Sequence, residues 1–217
     1  MSKKDFLYFC LTSIFAGIMI GLGGTASLIS NIWSAEIGKI IGAVLFSLGI
    51  YVIVIFEMKL FTGMVSDIPT MGAKNWWQLL VCFIGNAIGV ILVGVLVEYS
   101  PLSYVSTLGA EIINGKLMSD NWAIYALCSS ILCGALITLS VKSSEKAKEK
   151  HLSATLAVIF PIVVFAFCGF DHSVANMLYF FHFGEFSLQI VGYVIITMVG
   201  NVLGGVALPL VLKLKKK

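Results

Sequence analysis

The sequence predicts an all-α, six-helix transmembrane bundle made of two inverted three-helix repeats, with one broken helix in each. Three observations predict it. The 217 residues are 59% hydrophobic and only 12% charged, with a mean hydropathy of +1.01, which no soluble domain of this size needs. Six long stretches carry no charged residue. Two short motifs, Lys59-Leu60-Phe61-Thr62-Gly63 and Gly169-Phe170-Asp171-His172-Ser173-Val174-Ala175-Asn176-Met177, place ionisable or turn-forming residues where the flanking sequence is deep in hydrocarbon. Charge at that depth is expensive, and a helix break is tolerated there only where its freed backbone lines a cavity.

The six stretches are Phe6–Ala35, Ile40–Phe56, Asn75–Val97, Asn121–Val141, Leu152–Phe170 and Phe186–Leu212. All but Ile40–Phe56 reach the roughly 18–20 residues that cross about 30 Å of hydrocarbon. Ile40–Phe56 runs into the first motif and is completed by it. Phe6–Ala35 is longer than the ~7–15-residue core of a cleavable signal peptide, and its Gly17, Gly21, Gly23 and Gly24 suit helix packing. Asn31–Lys39, Val65–Lys74 and His182–Ser187 are short loops, and Tyr99–Asp120, with Pro101, is a longer one with local structure. Lys142–His151 is a mixed-charge linker. The whole chain, 1–217, is expected to be a single transmembrane domain with repeat halves at about 5–98 and 121–213.

The chain has no Arg, and its Lys residues are unevenly spread. With both termini inside, eleven of them become cytoplasmic, from Lys3 and Lys4 to Lys215, Lys216 and Lys217. Lys39 and Lys116 fall outside, and Lys59 lies within the membrane. This asymmetry predicts a multi-pass cell-membrane protein with cytoplasmic termini. The net charge of +3 is therefore a topology signal and predicts no nucleic-acid partner. The bilayer is the expected partner, with the C-terminal lysines as a headgroup anchor. Cys10, Cys82, Cys128, Cys133 and Cys168 lack metal spacing and read as packing residues.

The halves echo one another. The broken-helix motifs are offset by about 112 residues, and Gly85-Asn86-Ala87-Ile88-Gly89 recurs about 115 residues on as Gly200-Asn201-Val202-Leu203-Gly204. Three crossings per half force the second half to enter from the opposite side, so the repeat is inverted. Two breaks in such a repeat point to a solute pathway.

His172 is the leading functional residue, because an imidazole can change charge near neutral pH. Asp171 reads as structural, pointing to a neighbouring helix or subunit. Asn176 is placed to satisfy freed backbone at the break. Thr62 and Gly63 suit the first break itself, with Leu60 and Phe61 as an apolar constriction. Asn86 and Asn201 are expected to bond across helices or to the broken segments. Glu57 and Lys59 stand two apart and share no helical face; either one pairs elsewhere or both snorkel to the membrane edge.

These motifs resemble the formate/nitrite transporter family over essentially the whole chain. Residues 16–24 resemble its first helix, Phe46-Ser47-Leu48-Gly49 and Leu60-Phe61-Thr62-Gly63 its broken second, and Gly169–Met177 its fifth. The resemblance implies an aquaporin-like protomer in a homopentamer, one pore per protomer, passing small monovalent weak-acid anions such as formate, nitrite or hydrosulfide. It also implies that Leu60, Phe61 and Thr62 form the loop breaking helix two, that Phe46, Ile50 and Phe165 line two apolar constrictions, that His172 is the central pore histidine, and that Lys116 is the vestibule lysine. Ser129 and Asn201 join the expected pore set.

Three features depart from the family pattern. Glu57-Met58-Lys59 stands where the family has Gly-Ala followed by an acidic residue. Leu127-Cys128-Ser129 replaces Leu-Cys-Asn, and the loop between helices five and six is short. They suggest a divergent, hydrosulfide-type branch. The implied mechanism has Lys116 attract the anion and His172, Thr62 and Ser129 hold it, with proton sharing giving a neutral acid that passes the apolar rings. A neutral-solute pore of the water or glycerol type also fits six spans, but its paired Asn-Pro-Ala loops are absent. No metal cluster, nucleophile–base pair or cofactor loop is present, so neither an enzyme nor a cofactor is expected.

Overall fold

A computed structural model of the protein describes residues 1–32 and 37–214. The expected end of the first stretch (33–35), part of the Asn31–Lys39 loop and the last three lysines lie outside the described residues. The described residues form helices α1 (Lys3–Ser30), α2 (Ile37–Ile55), α3 (Phe61–Met64), α4 (Trp77–Glu98), α5 (Val105–Leu117), α6 (Trp122–Lys146), α7 (His151–Cys168), α8 (Ser173–Phe183) and α9 (Leu188–Leu214), with 3-10 turns at Val65–Asp67 and Ala73–Asn75. Six helical segments, α1, α2, Ala73–Glu98, α6, α7 and α9, are long and apolar enough to cross a membrane. They expose many large apolar side chains, among them Phe15, Leu22, Ile84, Phe160 and Phe167, which suits lipid or subunit contact and not water. Six crossings bring Lys3 and Lys213 to the same, lysine-rich end.

The helices start and stop for local reasons. At the head of α1, the Asp5 amide donates to Ser2 Oγ (3.1 Å) and the Ser2 amide to Asp5 Oδ2 (3.2 Å), a reciprocal cap. The longer loop holds more structure than expected, since α5 occupies thirteen of its residues and packs on α8.

Both breaks have one geometry. At the end of α7, Gly169 turns left-handed (φ 70°), its amide donates to the Ala166 carbonyl (3.1 Å), and the Phe170 amide donates to the Phe165 carbonyl (3.1 Å). At the end of α2, Glu57 turns left-handed (φ 51°), its amide donates to the Val54 carbonyl (3.2 Å), and the Met58 amide donates to the Ile53 carbonyl (2.9 Å). Every partner is displaced by the same 112 residues. The first break therefore falls on residues 56–60, ahead of the expected Thr62 and Gly63, which lie inside α3. The left-handed position is taken by Glu57, where a glycine would be the ordinary choice.

The repeat extends to the packing. α1 lies on α4, and α6 on α9. In the first pair Gly17 faces the Asn86 carbonyl and Gly89 the Ile14 carbonyl; in the second, Gly134 faces the Asn201 carbonyl and Gly204 the Ile131 carbonyl. A Cβ at any of the four would collide with backbone, so only glycine lets these helices approach so closely.

Candidate functional site

Asn86 and Asn201 hold the two breaks in matching ways. Asn86 Oδ1 accepts from the Phe61 amide (2.8 Å), while Nδ2 donates to the carbonyls of Lys59 and Ser13 (both 2.8 Å). Asn201 Oδ1 accepts from the Ser173 amide (2.9 Å), while Nδ2 donates to the carbonyls of Asp171 (2.9 Å) and Ser130 (2.8 Å). One amide side chain thus satisfies both sides of each break and ties it to a neighbouring helix. Ser129 Oγ accepts from the Asp171 amide (2.9 Å). Ser129 and Asn201 line neither of the cavities described below; both stand behind the second break.

The breaks deliver Leu60 and His172, which are repeat equivalents, to the middle of the molecule. His172 is 2% exposed and caps α8: its Nδ1 accepts from the Ala175 amide (3.0 Å). A nitrogen that accepts carries no proton, so the neutral ring bears its proton on Nε2. Nε2 lies 2.8 Å from Oγ1 of Thr62, which is fully buried, and donates to it. The cap therefore selects the tautomer and aims the N–H at the other half of the molecule.

Two cavities approach this pair from opposite ends. The one at the end remote from the lysine-rich face, about 210 Å³, is lined by Lys39, Phe46, Lys116, Phe165, His172 and Asn176 among others. The one at the lysine-rich end, about 580 Å³, is lined by Ile50, Ile53, Lys59, Leu60, Ile137 and Val158 among others. Phe46 and Phe165 meet edge to face, with ring centroids 5.5 Å apart, and both rings lie near the His172 ring, at 6.4 and 5.9 Å. Ile50 and Leu60, 1% and 4% exposed, stand on the other side. Phe61 lines neither cavity and packs edge-on against Phe83 (5.1 Å).

Ile53, Ile137 and Val158 were not singled out from the sequence, yet the 112-residue offset could have found two of them. It carries Phe46 onto Val158 and Ile53 onto Phe165, so an aromatic pair on one side of the centre answers an aliphatic pair on the other.

Lys116 lines the smaller cavity, but its ammonium lies 2.5 Å from Asp171 Oδ1. The same oxygen accepts from Asn176 Nδ2 (3.0 Å) and the Tyr193 hydroxyl (2.9 Å). Asp171 is thus tied to three elements of its own protomer. Asn176 serves this carboxylate, and the freed backbone at the break is left to Asn201 and Ser129.

The sequence model of the family described as "Formate/nitrite transporter" matches residues 2–214. Among curated relatives, the formate channel FocA of Escherichia coli (strain K12) is 28% identical over 187 residues, covering 80% of this chain and 64% of the relative. The nitrite transporter NirC of Salmonella typhimurium (strain LT2) is 25% identical over 228 residues, covering 95% and 82%. The chain thus spans somewhat less than two thirds of the FocA relative's length. Among solved structures, one described as a pentameric formate channel with formate bound superposes with a TM-score of 0.78 at 22% identity, covering 100% of this chain and 98% of that one. An FNT family ion channel gives 0.81 at 22% identity, covering 99% and 92%. A model match running nearly end to end, on a six-helix fold shared with these channels, shows that this multi-pass membrane protein belongs to the formate/nitrite transporter family.

Proposed function

We propose that the chain forms a membrane channel or transporter for small monovalent weak-acid anions, with one passage per protomer in a homopentamer and the lysine-rich end facing the cytoplasm. The observation that carries this reading is the pair of cavities approaching the buried His172–Thr62 bond from opposite ends. The names of the relatives, a formate channel and a nitrite transporter, support the substrate class, and the pentameric neighbour supports the assembly. The substrate set is formate, nitrite or hydrosulfide.

The physical problem is desolvation. A bare anion crossing the apolar side chains of Phe46, Phe165, Ile50 and Leu60 loses its hydration, at a cost of several kcal/mol even after relaxation; the neutral acid avoids most of it. His172 Nε2–H and the Thr62 hydroxyl are the polar groups at the narrow centre, so an anion arriving there meets a donor in place of water. The Nε2–H of the neutral ring holds the anion there by hydrogen bonding, and a proton delivered by water lets the species leave neutral while the ring keeps its own proton. Flux should therefore rise as pH falls, because the neutral fraction of any weak acid grows in that direction.

The test is a liposome flux panel of formate, nitrite, hydrosulfide, chloride and glycerol at two pH values, run on the parent and on His172→Phe. The expected result is passage of the weak-acid anions over chloride, steeper at low pH and strongly reduced in the variant. Unchanged flux and pH dependence in His172→Phe removes the histidine from the mechanism, and glycerol passage without anion flux favours a neutral-solute pore.

A further inference from the structure

The inverted repeat pairs Lys59 with Asp171. Each directly precedes the residue delivered to the centre, Leu60 or His172, and each has its carbonyl held by the repeat asparagine. The side chains carry opposite charge and are treated differently. The Asp171 carboxylate is compensated by Lys116, Asn176 and Tyr193. Lys59 lines the larger cavity, and among the described residues its ammonium takes part in no ion pair or side-chain hydrogen bond.

The other charged groups of that cavity are engaged and lie at its exposed rim. Glu57 pairs with Lys148 (3.8 Å), and Asp67 and Glu145 share Lys142 (2.9 and 3.1 Å). Glu57, Asp67, Glu145 and Lys148 are all exposed, whereas Lys59 is half-buried beside Leu60. Charges at an open rim are screened by solvent and salt, while one set deeper against an apolar wall acts through a lower dielectric. The backbone from which the Lys59 side chain springs is held in place, because Asn86 and the Cys82 thiol (3.2 Å) both donate to its carbonyl.

We propose that Lys59 holds the permeating anion at the lysine-rich mouth, immediately before the Leu60 constriction, and so sets the affinity for anions arriving from that end. The inference rests on the anion-passage reading above. It gives the two mouths unlike chemistry: at one, a half-buried cation beside the constriction that joins no ion pair among the described residues; at the other, a cation engaged by Asp171, with Lys39 exposed at that cavity's edge.

Formate uptake by the full chain in orientation-sorted liposomes tests it, with initial rates measured over a range of concentrations from either end. At low ionic strength, Lys59→Gln should raise the half-saturating concentration at the lysine-rich end three-fold or more, and Lys59→Glu further. Lys59→Arg should stay near the parent, and the effect should shrink in high salt. Rates with formate presented to the opposite end should change much less. Because the anchoring bonds use the backbone carbonyl, the Gln variant should fold, which thermal unfolding in detergent checks. Parent-like concentration dependence in folded Gln and Glu variants overturns the assignment while leaving the pore reading intact. A parent that moves no anion overturns both.

Discussion

At the scale of single residues, the left-handed positions give the cleanest predictions. Holding an L-residue in that region costs about 1–2 kcal/mol. Glu57 pays this cost (φ 51°) where its repeat partner Gly169 (φ 70°) does not. Glu57→Gly removes the strain but adds unfolded-state entropy worth roughly 0.5–1 kcal/mol, and it gives up an ion pair too exposed to contribute much. The expected net gain is about 0.5 kcal/mol, read as a higher midpoint of thermal unfolding in detergent, whereas Glu57→Ala should give no gain. Gly169→Ala is the mirror experiment. Nothing stands within 4 Å of an added Cβ there, so its expected cost of about 1 kcal/mol is purely conformational. A larger loss would mean that the site is crowded. His172 shows the same local logic in another form, since capping α8 with Nδ1 leaves its N–H facing Thr62.

At the scale of elements, each half of the molecule hangs on an asparagine and a pair of glycines. Asn201→Leu would orphan the Ser173 amide and the Asp171 carbonyl, and Asn86→Leu would orphan the Phe61 amide and leave the Lys59 carbonyl only the weak Cys82 thiol. Each buried backbone group left unpaired costs about 1–3 kcal/mol, so each variant should show a clear fall in thermal stability together with lost flux. Similar losses in the two variants are expected from the matching geometry; a silent Asn86→Leu would mean that the first break is held by something else. Gly204→Ala should separate α6 from α9 at a cost of roughly 3 kcal/mol, because the added carbon meets the Ile131 carbonyl. The repeated Gly-Asn-x-x-Gly motif was visible in the sequence, and so was the likelihood of helix contact. That the asparagine between those glycines reaches the break could not be read from spacing, because the two segments lie 25 and 28 residues apart.

At the scale of the whole molecule, orientation can be tested with a side chain already present. Cys168 is exposed and lines the cavity remote from the lysine-rich end. A membrane-impermeant thiol reagent applied to whole cells should modify it from outside and slow anion flux, and Cys168→Ser should abolish the slowing. Protection in whole cells with labelling in inverted vesicles would reverse the proposed orientation. The apolar stretches gave the six spans to within a few residues at most ends. The largest differences lie in the connections, where α5 fills the long loop and the first break precedes Thr62. Both follow from capping geometry and packing against α8, which leave little trace in hydropathy.

Composition, lysine placement and the repeated motifs by themselves determined that the chain is helical, crosses the membrane six times, repeats with inversion and breaks near Leu60 and His172, because a bilayer imposes length, charge and backbone constraints on every local segment. Only the tertiary structure decided which polar groups are already engaged. Lys116 is committed to Asp171, Asn201 and Ser129 hold the break from behind, and Lys59 faces a cavity. Engagement depends on what stands a few ångströms away, and in this fold the neighbours of each polar side chain come from distant segments of the chain.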